Sequence, residues 1–367
     1  MGTAFAMRYV LWGDGESPHL LKWARALATE GVQVFHGFEL WAASSRGFAP
    51  GFDGLVPPER RLALGTTPAF EGGNVMLLRK LPRFASWLKR VEPDWIHAHY
   101  LTSHGTLAWL ARCLFGVRAP MVGSAWGSDI LLTPQRNAVQ RVLISRVLAD
   151  CSLTTSDSQH MAGRMRSLGA SDVMSFPFGL EAMPAAAGAK SPHLFFANRG
   201  LESLYAPERV LRAMAALRAH WPDARLVVAN DGALRAPLEC LAQELGLSDA
   251  VQFVGRLGAA EQAQWYDRAQ WYLSLPSSDS VSVSVLEAMA HGCIPILSDL
   301  PANRELVESE TNGFVVADGA LPDPVRLDAL HVRAAAIADA NRSWVREHAL
   351  FAPAVRSFLE RLKQLTA

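Results

Sequence analysis

The stretch from Leu273 to Glu305 constrains the fold of this chain more than any other. It reads LSLPSSDSVSVSVLEAMAHGCIPILSDLPANRE: an apolar segment, a serine-rich loop, a run of helix formers ended by His-Gly, and a second apolar segment. Glycine just past the last turn is the usual end of a helix. The pattern therefore predicts a strand, a loop, a helix and a strand. Ligands of open parallel sheets bind in loops at the carboxyl ends of strands, so this loop is a candidate ligand site.

Two carboxylates mark the predicted loop and helix. Asp279 lies in the loop and Glu287 on the helix, with seven residues between them. The helix start at Ser282, Val283 and Ser284 offers hydroxyls for capping and free N–H groups that suit a phosphate. A helix rises about 1.5 Å per residue, which places Glu287 about one turn below that end. The two acids and the phosphate site together would grip a nucleotide-sugar, while the alternative is a capped surface helix with a solvated glutamate.

The same residues resemble the donor-site signature of retaining glycosyltransferases of the GT-B fold, glycosyltransferase family 4. That signature is an acid, seven residues, a glutamate in a Leu-Glu-Ala-Met-Ala helix, and then Gly-x-Pro, which stands here from Leu286 to Pro295. Asp279 replaces the usual first glutamate. The resemblance implies an α/β chain with two Rossmann-like parallel-sheet domains that face each other across a cleft. It also implies the bacterial lipopolysaccharide or polysaccharide type of enzyme.

The resemblance assigns further donor-binding residues. Relatives grip the donor diphosphate with an arginine, matched by Arg199, and with a lysine a few residues on. Tyr205 or a neighbour stands at the lysine position, and Arg304 is a candidate to replace this lysine at the diphosphate. Gly13 and Gly15 follow the first predicted strand, where the family's glycine turn faces the cleft; the alternative for both is a tight turn only. Asp279 is expected to bind sugar hydroxyls and Glu287 the ribose.

The resemblance also assigns two histidines and an aspartate to the side of the first domain that faces the cleft. His99 belongs to a His-x-His-Tyr stretch, and the resemblance implies that it reaches the transferred sugar; the alternative is a histidine satisfied within the core. His104 follows in the next loop. Asp129 lies in a Gly-x-Asp loop that lines the cleft in relatives, although it could equally cap the following turn. Trp126 stands where many relatives have histidine, so we expect it to pack against a sugar face.

Composition narrows the function classes. The chain has 367 residues, 50% hydrophobic content and a formal net charge of zero, which favours two domains and gives no indication of a nucleic-acid partner. Its four cysteines are isolated and lack zinc-ligand spacing, as in a reduced cytosolic protein. No apolar run is long enough for a signal peptide or a membrane span. No Asp-x-Asp pair occurs, so we predict neither a divalent metal nor a cofactor.

The predicted organisation is two domains joined by a linker at 182–192. The first domain spans 1–181, and a C-terminal helix at 346–367 crosses back to it, as in the GT-B fold. The donor domain spans 190–345. The chain opens with a predicted strand, a helix from His19 that Gly31 stops, and a strand at 32–35; no Gly-x-Gly-x-x-Gly motif is present.

One predicted helix of the first domain is basic as well as amphipathic. Residues 76–92, MLLRKLPRFASWLKRVE, combine leucines and aromatic residues with five Lys or Arg residues. Such a helix could touch an anionic membrane. The alternative is an ordinary surface helix of the domain.

Together with these observations, the resemblance implies a metal-independent glycosyltransferase of the hexosyl or N-acetylhexosaminyl type. The expected donor is a nucleotide diphosphate sugar, with UDP preferred, and the expected acceptor is a lipid-linked or lipopolysaccharide glycan. The enzyme is expected in the cytoplasm or at the cytoplasmic face of the membrane. A GT-B-like nucleotide-sugar epimerase or hydrolase is one alternative, and a sugar-binding protein without catalysis is another.

Overall fold

The computed structural model describes residues 7–66, 75–185 and 188–366. The chain divides into two compact units. Unit 1 runs to Phe176 and includes the segment from Phe351 onward, while unit 2 is Pro177–Leu350. Each unit is an α/β structure around a parallel sheet. The predicted fold class, with two parallel-sheet domains, is confirmed.

In its described residues, unit 1 has a seven-stranded parallel sheet of order β3-β2-β1-β4-β5-β6-β7. The strands are β1 Arg8–Gly13, β2 Glu39–Ser44, β3 Arg61–Ala63, β4 Trp95–His99, β5 Met121–Ser124, β6 Cys151–Ser156 and β7 Val173–Ser175. The register pairs Leu11 with His97 and His99 with Ser124. The strands are buried along most of their length, as expected where helices cover both faces of a parallel sheet, and β6 buries polar residues such as Thr154 and Thr155.

The helices of unit 1 are α1 Pro18–Val34, α2 Val75–Leu78, α3 Leu81–Val91, α4 Thr106–Phe115, α5 Ser128–Leu131, α6 Thr133–Arg136, α7 Ala138–Asp150 and α8 Gln159–Ser167. A π-helical turn, Leu101–Gly105, precedes α4. Helices α3, α4, α7 and α8 bury Leu88, Leu107, Val147 and Met165 in one core with strands β1 and β4. These four helices therefore share one face of the sheet.

The end of helix α1 differs from the prediction. The helix continues through Gly31 to Val34, and the next strand is β2 rather than the predicted strand at 32–35. A Cβ atom at residue 31 would lie 2.4 Å from the ring of Phe38. Glycine is needed here for close packing against Phe38, and it does not end the helix.

In its described residues, unit 2 has a six-stranded parallel sheet of order β10-β9-β8-β11-β12-β13. The strands are β8 Ser191–Ala197, β9 Arg225–Ala229, β10 Val251–Gly255, β11 Ala269–Ser274, β12 Ile294–Ser298 and β13 Phe314–Val316. The helices are α9 Pro207–His220, α10 Arg235–Glu244, α11 Ala259–Arg268, α12 Val283–Ala290, α13 Pro301–Arg304, α14 Pro324–Val332 and α15 Ala334–His348. Strand β11 lies in the middle of the sheet, and its carboxyl end leads into the serine-rich loop.

The last helix, α16 Phe351–Thr366, belongs to unit 1. It packs on α1, where Trp23 contacts the rings of Phe351 and Phe358 at centroid distances of 5.0 and 5.6 Å. The predicted crossing helix at 346–367 is thus two elements, because residues 346–350 remain in unit 2. Residues 177–181 also lie in unit 2, since the N–H of Leu180 donates to the carbonyl oxygen of Ala349 at 2.8 Å.

Candidate functional site

The strand–loop–helix–strand prediction is confirmed by β11, α12 and β12. Ser282 occupies the N-cap position of α12 with extended backbone angles, but its side chain makes no capping hydrogen bond. Its Oγ instead accepts a hydrogen bond from Nη1 of Arg199 at 2.6 Å. The predicted cap by this hydroxyl is therefore wrong. Val283 and Ser284 form the first turn of the helix, and neither supplies a side-chain cap.

Arg199 and Asp279 form the centre of a compact cluster in unit 2. Arg199 follows the carboxyl end of β8, and its Nη2 donates to Oδ2 of Asp279 at 2.6 Å. Both side chains are about four-fifths buried, at 18% and 20% exposure. Burial raises the pKa of Asp279, and the neighbouring guanidinium opposes that rise. The cluster thus joins an arginine, a carboxylate and the start of a helix within direct hydrogen-bonding distance.

One donor of this cluster is unsatisfied. The Nε–H of Arg199 is buried and has no hydrogen-bond partner among the described residues. A buried donor without a partner is costly, and more so on a charged group. An anionic oxygen placed beside this guanidinium would remove the cost.

Glu287 lies on α12 and is half-buried. Its Oε2 is 3.2 Å from the hydroxyl of Tyr266, which also lies 3.2 Å from the carbonyl oxygen of Ser284. The same hydroxyl accepts a hydrogen bond from Nδ2 of Asn198 at 2.8 Å. Tyr266 is buried, and burial raises its pKa well above the usual value, so the phenol stays protonated as a donor. The sequence did not single out Tyr266, since nothing in its local pattern distinguishes it from a core aromatic.

Tyr205 covers the guanidinium of Arg199. It ends a 3₁₀ turn, Ser203–Tyr205, and its ring centroid lies 4.4 Å from Cζ of Arg199. The next residue, Ala206, has φ +43°, a left-handed conformation that is uncommon outside glycine. Arg304 does not join this cluster; it is 62% exposed and pairs with Asp299 at 2.5 and 2.7 Å. The ring of Tyr205 thus contacts the guanidinium of Arg199, and Arg304 does not add a second cation to the cluster.

Gly13 and Gly15 lie at the end of β1 and in the turn after it. A Cβ atom on Gly13 would be 2.7 Å from Leu20 and 3.3 Å from the Cβ of His99. A Cβ on Gly15 would be 2.5 Å from the carbonyl oxygen of Gly47, while its N–H donates to Oγ of Ser44 at 2.8 Å. Gly15 is thus required by close packing against backbone, whereas Gly13 meets the methyl groups of the Leu20 side chain, and a ligand role for either glycine stays a prediction.

His99 is buried at the carboxyl end of β4 in unit 1. Its Nδ1 accepts a hydrogen bond from Nε1 of Trp126 at 3.2 Å, and its Nε2 has no partner among the residues the structure describes. The indole of Trp126 also lies 4.6 Å from the ring of His19. His104 is satisfied by hydroxyls, with Nε2 3.0 Å from Ser45 Oγ and Nδ1 3.1 Å from Ser103 Oγ. Of these two predicted histidines, His99 is the one with a free buried nitrogen.

Asp129 is fully buried and holds the backbone of two loops. Its carboxylate oxygens accept the N–H groups of Leu101 and Trp126, each at 2.9 Å. Burial raises its pKa to about 6, while these backbone hydrogen bonds partly oppose the rise. Asp129 therefore fixes the loop that carries Trp126.

The buried histidines predict that acid destabilises the protein. Burial lowers the pKa of His97 to about 3, that of His104 to about 4, and that of His99 well below its usual value. A lowered folded-state pKa means that the unfolded chain binds protons first, so stability falls as the pH drops below about 6.5. Asp129 and Asp279 have raised pKa values and act in the opposite sense, Asp129 below about pH 6, but they are two groups against these three histidines and His291, whose pKa burial also lowers. Urea unfolding at pH 7.5 and 5.5 is expected to show a lower midpoint at pH 5.5.

A matched pair of variants tests the cause of this acid sensitivity. His104→Gln is expected to reduce the difference between the two pH values. His36→Gln, at an exposed position, is expected to leave it unchanged. Equal sensitivity in His104→Gln and wild type would assign the effect to other groups.

The described ranges lack two kinds of feature. No group of three or more His, Cys, Asp or Glu side chains there could hold a metal ion. No helix there is long and apolar enough to span a bilayer.

Two family models match the chain, one for each unit. The model described as "Glycosyl transferases group 1" matches residues 184–324, which include Arg199, Asp279 and Glu287. The model described as "Glycosyl transferase 4-like domain" matches residues 14–179, which include His99 and Trp126. Together the two ranges cover most of the chain.

Individual relatives agree with these matches. An alpha-monoglucosyldiacylglycerol synthase from Streptococcus pneumoniae is 30% identical over 106 residues, which are 29% of this chain and 24% of that protein. The match thus spans about a quarter of the relative's length. Anabaena HepE in complex with UDP has a TM-score of 0.73 at 14% identity, over 98% of this chain and 100% of that one. The lipopolysaccharide outer core galactosyltransferase WaaB has a TM-score of 0.65 at 15% identity, over 95% and 98%.

The fold and the domain matches define a class: the chain has the two-domain GT-B fold. Each of its two domains matches a glycosyltransferase family model, over residues 14–179 and 184–324.

Proposed function

We propose that this protein is a retaining, metal-independent glycosyltransferase. It moves a hexosyl or N-acetylhexosaminyl group from a UDP-sugar to a lipid-linked or lipopolysaccharide glycan. It works in the cytoplasm, at the membrane surface that carries such acceptors. The observation that carries the proposal is the cluster of Arg199, Ser282 and Asp279 at the start of α12, with an unsatisfied guanidinium N–H.

The first role of this cluster is to hold the diphosphate. Departure of a nucleoside diphosphate develops negative charge on its terminal phosphate oxygens. Arg199 and the free N–H groups at the start of α12 are donors that would stabilise this charge. Tyr205 stacks on the guanidinium and limits its movement without adding a second charge. Arg199 is therefore the principal cation of the diphosphate site.

The two acids bind the rest of the donor. Asp279 is held beside Arg199, which favours its ionised form, and its carboxylate can accept hydrogen bonds from sugar hydroxyls. Glu287 is anchored by the Tyr266 hydroxyl one turn down α12, where its carboxylate can accept the ribose hydroxyls. Removal of either carboxylate would therefore remove its hydrogen bonds to the sugar or to the ribose of the donor.

His99 supplies a neutral imidazole for the transferred sugar. Its lowered pKa keeps the ring uncharged, and Trp126 donates to Nδ1, which places the ring proton on Nε2. The Nε2–H, which has no described partner, is the atom proposed to donate to a sugar hydroxyl. The proposal includes front-face departure of the diphosphate without a covalent intermediate, so no nucleophile is assigned.

The relatives support the substrate classes. HepE was crystallised with UDP, WaaB is a lipopolysaccharide galactosyltransferase, and the Streptococcus enzyme is a diacylglycerol glycolipid synthase. UDP is the nucleotide that these comparisons favour, and lipid-borne acceptors recur among them.

A transfer assay with analysis of all sugar products tests the proposal. UDP-, GDP- and dTDP-sugars are offered with a lipid-linked glycan mixture, with and without EDTA. The expected result is sugar on the acceptor from a UDP donor, with retained anomeric configuration and the same rate in EDTA. Free sugar alone would indicate a hydrolase and a changed donor would indicate an epimerase. Loss of activity in EDTA with rescue by magnesium would contradict metal independence.

Two variants test the assignment of the site, and a third is the control. Asp279→Ala and Glu287→Ala are expected to abolish most of the transfer rate while the circular dichroism spectrum is unchanged. Glu308→Ala, at an exposed glutamate of unit 2, is expected to retain the wild-type rate. Near-wild-type rates in both site variants would remove these acids from the site.

A further inference from the structure

The amide of Asn198, the residue after β8, lies at the centre of a buried hydrogen-bond network in unit 2. Its Oδ1 accepts from the hydroxyl of Tyr272 at 2.8 Å, and its Nδ2 donates to Oε1 of Gln262 at 2.7 Å and to the hydroxyl of Tyr266 at 2.8 Å. The Nε2 of Gln262 donates to the carbonyl oxygen of Leu257, so its Oε1 is the atom that faces Asn198. Both N–H groups and the oxygen of the amide therefore have partners, and its orientation is fixed.

This network directs the proton of the Tyr266 hydroxyl towards α12. A phenol has a single O–H proton, and the Tyr266 oxygen already accepts a hydrogen bond from Nδ2 of Asn198. Its proton is left for two acceptors on the helix, the carbonyl oxygen of Ser284 and Oε2 of Glu287, each at 3.2 Å. The hydroxyl is thus fixed as a donor to the first turns of α12.

The carboxylate of Glu287 is consequently held in place by the protein itself. A carboxylate offers about four lone-pair sites, so it can accept the Tyr266 hydroxyl and ribose hydroxyls together. Holding the side chain beforehand removes part of the ordering cost of binding. Because Arg199 is the next residue after Asn198, one short segment sets both the proposed diphosphate contact and the proposed ribose contact.

We propose that Asn198 and Tyr266 are positioning residues that make the donor site select ribonucleotides over 2′-deoxyribonucleotides. A site built to hydrogen-bond a hydroxyl rejects an analogue that lacks it, because the polar group of the site then loses its partner. A mobile carboxylate could turn to another donor, whereas one held by Tyr266 stays aimed at the missing hydroxyl. The inference rests on the proposed function, since it takes Glu287 as the ribose acceptor.

Calorimetric titration of the full chain with UDP and with 2′-deoxy-UDP tests this selection. The two nucleotides share base and diphosphate and differ by one hydroxyl. Wild type is expected to bind UDP about 10- to 100-fold more tightly, the range of one hydrogen bond to a charged group.

Tyr266→Phe removes only the hydroxyl and keeps the ring, which packs 5.0 Å from the ring of Phe196 and 5.4 Å from that of His291. This variant is expected to bring the affinity ratio below about threefold, through weaker binding of UDP and little change for 2′-deoxy-UDP. Asn198→Asp removes the Nδ2 donor at nearly unchanged volume and offers the Tyr266 hydroxyl a competing acceptor. Its ratio is expected to fall as well.

The matched control is Tyr9→Phe, which removes a buried tyrosine hydroxyl of unit 1 that lies 2.8 Å from Nδ1 of His97. Its affinity ratio is expected to equal that of wild type. Glu287→Ala is expected to lower the ratio as Tyr266→Phe does, and the double variant to lower it no further, because both changes remove the same contact. A further fall in the double variant would overturn the action of Tyr266 through Glu287.

Equal binding of both nucleotides by wild type would overturn the inference and leave the proposed transfer standing. The inference would also fail if Tyr266→Phe kept the wild-type ratio, or if it weakened both nucleotides alike, as a general loss of structure would. If wild type selects UDP but transfers no sugar in the product assay, the proposed function fails and the positioning role of Asn198 and Tyr266 stands.

Discussion

Replacement of Arg199 by methionine is expected to lower kcat/KM for sugar transfer by about 100- to 1000-fold, or about 2.7–4 kcal/mol. The guanidinium is the principal cation of the proposed diphosphate site, and its Nε–H has no described partner until a ligand supplies one. Loss of this charge would mainly slow the step in which the diphosphate leaves. The measurement is the steady-state rate with the UDP-sugar, together with UDP affinity by calorimetry.

Methionine also leaves Asp279 buried without its partner, so the charge effect must be separated from that cost. Arg199→Lys keeps a positive charge but loses the paired contacts to Ser282 and Asp279, and an intermediate rate is expected. Arg199→Met with Asp279→Asn removes both charges, and we expect it to recover folding stability but not activity. A rate within threefold of wild type for Arg199→Met would show that the diphosphate is held elsewhere.

Phe358→Ala is expected to lower the free energy of unfolding by about 3–5 kcal/mol. The ring is fully buried on α16 and packs against Trp23 at 5.6 Å and His97 at 5.5 Å. Its removal leaves a cavity between α16 and the sheet of unit 1. Urea unfolding followed by tryptophan fluorescence measures the change.

A control on the same helix is available at Leu365, which is 39% exposed. Leu365→Ala is expected to change the free energy of unfolding by less than about 0.5 kcal/mol. Similar losses in the two variants would show that α16 is held by its helical surface as a whole and not by the Phe358 contact.

The elements that depend on a local pattern could be predicted from the sequence. The stretch from Leu273 to Glu305 contains the end of β11, all of α12 and all of β12, in the order that its local pattern predicts. Gly31 misled the prediction because a glycine can serve close packing as well as helix termination, and the partner, Phe38, lies beyond the helix.

The donor site shows the same division between local and distant information. The positions of Asp279 and Glu287 on loop and helix follow from spacing. The ion pair of Asp279 with Arg199, which is 80 residues away in the chain, does not. The hydroxyl of Ser282 was predicted as a cap because serine at that position usually caps. Arg199 competes for the same oxygen, and such competition becomes visible only when distant segments are brought together.

The return of α16 to unit 1 has a consequence for biosynthesis. Trp23, near the start of the chain, completes its packing only with Phe351 and Phe358, near its end. While the polypeptide emerges from the ribosome, unit 2 has all of its strands before unit 1 has its last helix. The earlier-made unit must therefore wait, with part of its apolar surface uncovered, until the residues of α16 are translated.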